Sequence, residues 1–228
     1  MAGTASPPTT APLSQRLITW AGWGFLVGSA CFMAGVPLSL AQSLPPSVAG
    51  WTYFVGSVFF TAAATCQTAS SWRPDNEVAR PWAQWTRADR ANLTAAAVQW
   101  FGTLEFNVTT LRAALEAASR ASYDAHQVWS PDAIGSLLFL VSSAIALAPE
   151  VHRTRLRHIR DRAWAIAAVN MLGSILFGVS AIGAWTNPSG DLVSLWWSNF
   201  GTFAGALCFL IGAVLMLPFA LTRPDARA

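Results

Sequence analysis

The sequence predicts an all-α membrane protein, with six transmembrane helices in three parallel-repeat hairpins and both termini cytoplasmic. Three observations predict it. Of the 228 residues, 54% are hydrophobic and 11% charged, where a soluble domain carries about 25% charged residues. The apolar residues gather in six blocks, each long enough to cross a hydrocarbon layer of about 30 Å as a helix. One glycine-phenylalanine motif recurs in every block. The blocks are continuously apolar, which excludes a membrane barrel, whose strands alternate over about 10 residues.

Residues 1–15 contain Pro7, Pro8 and Pro12, lack apolar periodicity and read as a disordered tail. Hairpin 1 occupies 16–67, with spans at 17–40 and 48–67. The first span is longer than the core of about 7 to 15 residues that a signal peptide carries, so it reads as a permanent helix. A cytoplasmic loop at 68–90 mixes Trp72, Trp82 and Trp85 with Arg73, Arg80 and Arg87. Indole and guanidinium both favour the headgroup layer, so this loop reads as an interfacial anchor. Hairpin 2 occupies 91–151, with spans at 91–111 and 132–150. Its outer connection, 111–129, is rich in helix formers and predicts an outer helix that stops before Pro131. A basic loop at 152–162 leads to hairpin 3 at 163–219, with spans at 163–186 and 194–219, and 220–228 form a tail.

All 14 basic residues are arginine, which excludes lysine chemistry such as a retinal Schiff base or a P-loop. Twelve arginines fall in the connections of one side; only Arg112 and Arg120 fall on the other. The positive-inside rule then places both chain ends in the cytoplasm, in a membrane of the bacterial inner type. The topology tests itself, since dropping one span would scatter the arginines over both faces.

The six motifs begin at Gly28, Gly56, Gly102, Gly135, Gly173 and Gly205. Each glycine is followed by a small residue, two variable positions and a phenylalanine, and a second small residue lies seven positions on. Lipid tails are as apolar as leucine, so membrane helices associate by close packing, which small residues permit. Residues seven apart share one stripe of a helix. The predicted arrangement puts the ring of one helix in the glycine notch of its neighbour. Motif glycines are 28, 33 and 32 residues apart within hairpins and 46 and 38 apart between them. Hairpins inserted in one orientation imply repeats about an axis along the membrane normal.

These hairpins resemble those of the YrhK-like family of small bacterial membrane proteins, in which an asparagine precedes one Gly-Ser-x-x-Phe helix and a second such helix ends near proline. Asn170 to Phe177 is similar to the first half. Ile134 to Pro149, Phe54 to Phe60 and Phe203 to Pro218 are similar to the second. The first hairpin departs in lacking the asparagine, and the third helix in carrying Glu105 inside its motif. The resemblance implies an architecture and no activity.

Among polar residues Glu105 stands out, because a charge at the bilayer centre costs about 2.5 to 3.5 kcal/mol on insertion scales. With Asn107 and Arg112 it forms the candidate ion or proton site, expected to face the protein interior. Asn170 and Asn199 are expected to bond neighbouring helix backbones. No histidine pair lies within a span to ligate haem, and Asp124, His126 and Asp132 make a weak metal pattern. Cys31, Cys66 and Cys208 match no zinc or disulfide spacing. No nucleophile and base pair, cofactor signature or nucleic-acid surface is present, so neither an enzyme nor a cofactor protein is expected. The expected function is a small transporter or channel-like module. The alternative is a membrane scaffold whose partner is a second copy or another membrane protein. Lipid is the expected surroundings in either case.

Overall fold

The computed structural model describes residues 13–72, 82–119, 121–153, 161–187 and 191–218. Among the described residues six α-helices follow one another: α1 (Leu13–Leu40), α2 (Pro46–Ser71), α3 (Arg87–Ala117), α4 (Ala125–Arg153), α5 (Arg162–Gly183) and α6 (Leu195–Met216), with a 3-10 turn at Trp82–Gln84 before α3. Each helix packs on the next and α6 returns to α1, which closes a ring. The ends of the ring are named from the chain: the near end holds the start of α1 and the finish of α6.

The helix starts are chemically marked. Pro46 opens α2, where its missing N–H costs nothing. Thr86 and Asp89 form a reciprocal capping box at α3, with Asp89 N donating to Thr86 Oγ1 at 3.1 Å and Thr86 N to Asp89 Oδ2 at 2.9 Å. Asp161 caps α5 by accepting from Ala163 N at 3.1 Å, and Ser194 caps α6 by accepting from Trp197 N at 3.3 Å.

Among the described residues, five helices are long and apolar enough to cross a membrane: α1, α2, α4, α5 and α6. Their outward faces carry exposed Val55, Val58, Leu137, Leu172, Ile175 and Leu207, while Ser29, Ser57 and Ser174 are fully buried. Such an inverted distribution is compatible with an integral membrane protein.

Helix α3 is the least apolar of the six, and three of its polar side chains are turned to α2. Asn107 Nδ2 donates to Thr61 Oγ1 at 2.8 Å, and Trp100 Nε1 donates to Thr65 Oγ1 at 2.9 Å. Thr110 and Ser57 share a hydroxyl bond of 2.9 Å. All three contacts reach α2.

Several boundaries differ from the sequence expectation. Helix α1 begins at Leu13, so the last three residues assigned to the tail are helical. The outer segment 111–129 is not one helix: α3 ends at Ala117, Ser119 takes a left-handed φ of 54°, and α4 starts at Ala125. Pro131 therefore lies inside α4. Trp85 is buried and packs edge-on against the exposed Trp72 at 6.1 Å. Arg73, Arg80, most of the basic loop, 1–12 and 219–228 lie outside the described residues.

The core is a cluster of phenylalanines at mid-height. Phe32, Phe60, Phe106, Phe139, Phe177 and Phe209, one from each motif, are all buried. Within the hairpins Phe32 meets Phe60 at 5.5 Å, Phe106 meets Phe139 at 5.2 Å and Phe177 meets Phe209 at 5.2 Å. The rings of the odd helices form one triangle, with separations of 6.3, 6.1 and 5.7 Å. Those of the even helices form a second, at 6.3, 6.2 and 5.4 Å. Each well-placed aromatic pair adds about 0.5 to 1.5 kcal/mol beyond its buried area.

Glycine makes this approach possible. A Cβ on Gly28 would lie 2.9 Å from the Phe60 ring, and one on Gly56 would lie 2.9 Å from Phe32. The same reciprocal contact joins Gly102 to Phe139 and Gly135 to Phe106, then Gly173 to Phe209 and Gly205 to Phe177. Hydroxyls stitch two of the seams between hairpins. Ser57 bonds Thr110 across α2 and α3, and Ser143 bonds Ser174 at 2.8 Å across α4 and α5.

Candidate functional site

Below the phenylalanine cluster, toward the near end, the ring encloses a cavity of about 470 Å³ to which all six helices contribute. That volume falls within the range of about 300 to 1,000 Å³ typical of small-molecule sites. The even-helix ring Phe209 and the α1 ring Phe25 line its inner part. Ile18, Ile166, Met216 and several alanines form apolar wall. Polar groups come from three helices for the most part: Gln67 of α2, Asn92 and Gln99 of α3, and Asn170 of α5.

Two of the three wall serines, Ser142 and Ser143, are already committed, and Ser71 is the third. Ser142 Oγ donates to the Ala95 carbonyl at 2.7 Å, and Ser143 bonds Ser174. The four amides differ, for none of Gln67, Asn92, Gln99 and Asn170 makes a side-chain hydrogen bond to another described residue. Gln67 Oε1 is buried and has no partner. Asn170 carries its carboxamide against Gly212 of α6, where a Cβ would collide with Asn170 Oδ1. Its expected bond to a neighbouring backbone is not made; a glycine notch accepts the side chain by shape.

Two charged residues stand at the near end of the cavity, Glu150 late in α4 and Arg162 at the start of α5. Arg162 Nη2 donates to the Leu217 carbonyl at 3.1 Å, and its Nε donates to the Leu215 carbonyl. A guanidinium at these carbonyls satisfies the orphan acceptors of the last turn of α6 and matches the negative end of the helix dipole. Arg162 thereby ties α5 to α6 at the cavity mouth. Glu150 has a partner of its own.

The structure does not bring Glu105, Asn107 and Arg112 together. Asn107 turns to α2 through Thr61. Glu105 is half-buried with its Cβ beside Gly135 of α4, on the stripe that carries the exposed Phe101 and Val108. It does not line the cavity. Arg112 lies at the far end, where Nη1 donates to the Gln127 carbonyl at 2.5 Å and the guanidinium stands 5.8 Å from the Tyr123 ring centroid.

At that far end Asp124 Oδ1 accepts from His126 N at 2.8 Å, and the His126 ring packs on Trp185 at 5.1 Å. Trp185 in turn packs edge-on against Trp129 at 4.3 Å. Among the described residues no group of three histidine, cysteine or acidic side chains is placed to hold a metal ion.

Sequence reasoning missed the cavity and its four amides. Gln99 and Asn170 each stand three residues before a motif glycine, a repeat signal that could have paired them, whereas nothing in the motif places Gln67 and Asn92 in the same space. Arg162 was counted as one charge of a basic loop. No protein-family model, curated protein or solved structure matches the chain.

Proposed function

We propose that this chain is a six-span integral membrane protein that acts as a small transporter or channel-like module, admitting a solute from the near end and holding it below a phenylalanine barrier. The observation that carries this reading is the cavity of about 470 Å³, bounded by all six helices and ending at Phe209 of the aromatic cluster. A side open to solvent, polar groups inside and a packed constriction beyond are the parts that a gated pathway needs. The polar centre is the amide-lined cavity and not Glu105.

The sixth span in this reading is α3, whose 31 residues reach about 46 Å at 1.5 Å each. Its hydropathy is low because it carries Arg87, Asp89, Arg90, Glu105, Arg112 and Glu116, while Asn107, Trp100 and Thr110 direct their polar groups to α2. Three hairpins related about the ring axis, cytoplasmic termini, a bacterial inner membrane and YrhK-like kinship complete the proposal. The twelve-to-two division of arginines and the reciprocal glycine-phenylalanine contacts support it. The scaffold reading is weaker, because the small-residue stripes are consumed inside the bundle and are not free for a partner.

Flux in proteoliposomes tests the proposal. The parent protein should pass small solutes slowly, and Phe139→Ala should pass them faster, because Phe139 touches Phe60, Phe106, Phe177 and Phe209. Equal flux from both proteins and from empty liposomes would overturn it.

A further inference from the structure

We propose that the cavity selects a small uncharged solute bearing both hydrogen-bond donors and acceptors, of the amide or polyol class, and not an ion. The inference rests on the transport reading and names what is carried. Gln67, Asn92, Gln99 and Asn170 each offer a donor and an acceptor on one planar group, and none spends them on another described residue. A buried amide oxygen without a partner, as at Gln67 Oε1, is costly in a low-dielectric layer unless something donates to it.

An ion would need compensation that the cavity does not offer. The charged groups of the lining are Glu150 and Arg162, both at the near end, and Arg162 is committed to the Leu215 and Leu217 carbonyls. Deeper in, the walls are the Gln99 and Asn170 amides, the Ser142 and Ser143 hydroxyls already bonded within the wall, alanines and the Phe25 and Phe209 rings, while Gln67 and the exposed Asn92 stand nearer the mouth. Dipoles with no net charge, set in an apolar wall, match a neutral polar solute better than a bare charge. The apolar surface then packs against the carbon skeleton of an amide or polyol while its polar edge meets the carboxamides.

The test uses four probes on the full-length protein in lipid nanodiscs: acetamide, glycerol, sodium chloride and sodium glutamate. Acetamide and glycerol should raise the unfolding temperature saturably, and the two salts should not. Gln99→Leu keeps the volume and removes the amide; Asn92→Ala acts at the exposed rim, where folding is not at stake. Each should weaken acetamide binding about tenfold, the loss expected for one good hydrogen bond. Stabilisation by the salts alone, variants that bind as the parent does, or no response to any probe would overturn the proposal, the last meaning that water satisfies the amides. Should Gln99→Leu fail to fold, Asn92→Ala decides. Proteoliposome swelling with the same probes separates the two readings. Acetamide binding without flux keeps the ligand class and overturns transport, whereas flux of sodium or chloride does the reverse.

Discussion

Arg112 of α3 donates its Nη1 to the main-chain carbonyl of Gln127 in α4, the carbonyl that Pro131 leaves without its helical partner. Proline lacks an N–H, so the acceptor four residues earlier is orphaned. Thr109 Oγ1 supports the same turn by donating to the Val128 carbonyl at 2.6 Å. This explains why α4 runs through Pro131 when the sequence suggested a stop: the neighbouring helix supplies the missing donor.

Arg112→Met should therefore destabilise the fold by about 0.5 to 1.5 kcal/mol, the net worth of one hydrogen bond to an exposed carbonyl. In a Pro131→Ala background, where the N–H is restored, the same change should cost clearly less. Chemical denaturation of the four proteins as a double-mutant cycle measures the difference. Equal costs in both backgrounds would mean that Arg112 does not serve the proline gap.

The glycines should divide by what surrounds them. At Gly205 a Cβ would lie 2.6 Å from the Phe177 ring, while at Gly178 it would meet nothing within 4 Å. Gly205→Leu should lower stability by about 1 to 3 kcal/mol through overpacking. Gly178→Ala should raise it by up to about 1 kcal/mol through helix propensity. Thermal unfolding in detergent distinguishes them, and a harmless Gly205→Leu would contradict the notch packing.

Ser29 offers a test of the opposite sign. Its Oγ is fully buried and has no partner, whereas Ser57 and Ser174 at the corresponding positions of α2 and α5 are bonded. Ser29→Ala should leave stability unchanged or raise it, and Ser174→Ala should lower it by about 1 kcal/mol.

Orientation can be read with cysteines. In a background with Cys31, Cys66 and Cys208 replaced, Asp191→Cys should react with an impermeant maleimide on intact cells. Arg87→Cys should react only after permeabilisation. Labelling of both from one side would remove α3 from the set of spans.

Glu105→Gln should fold as the parent does and leave acetamide binding unchanged, because Glu105 lies in the groove between α3 and α4, away from the cavity. Loss of binding in this variant would restore Glu105 to the site. Isothermal titration on the purified variant is sufficient.

The helices and the packing motif were legible because both are periodic. A glycine, a phenylalanine four positions on and a small residue at seven share one stripe, so sequence order alone groups them. Glu105 shows the limit of that argument. It immediately precedes Phe106, and one residue turns a helix by about 100°, enough to carry a side chain from the core into a groove between helices. The cavity was illegible for another reason. Gln99 and Asn170 share one motif position, three residues before the glycine, but Gln67 and Asn92 do not, and only ring closure brings the four round one space. The helix expected across 111–129 failed on chemistry at a distance, because the residue that lets α4 start before Pro131 belongs to α3.

The two stacked phenylalanine triangles also bear on how the chain is made. Every hairpin contributes one ring to each triangle, so neither layer is complete until the last hairpin arrives. During synthesis the first two hairpins can each zip their own glycine notch, yet the centre keeps a vacant corner where Phe177 and Phe209 belong. Hairpin 3 is thus a keystone: without α5 and α6 the centre lacks two of its six rings, Phe177 and Phe209.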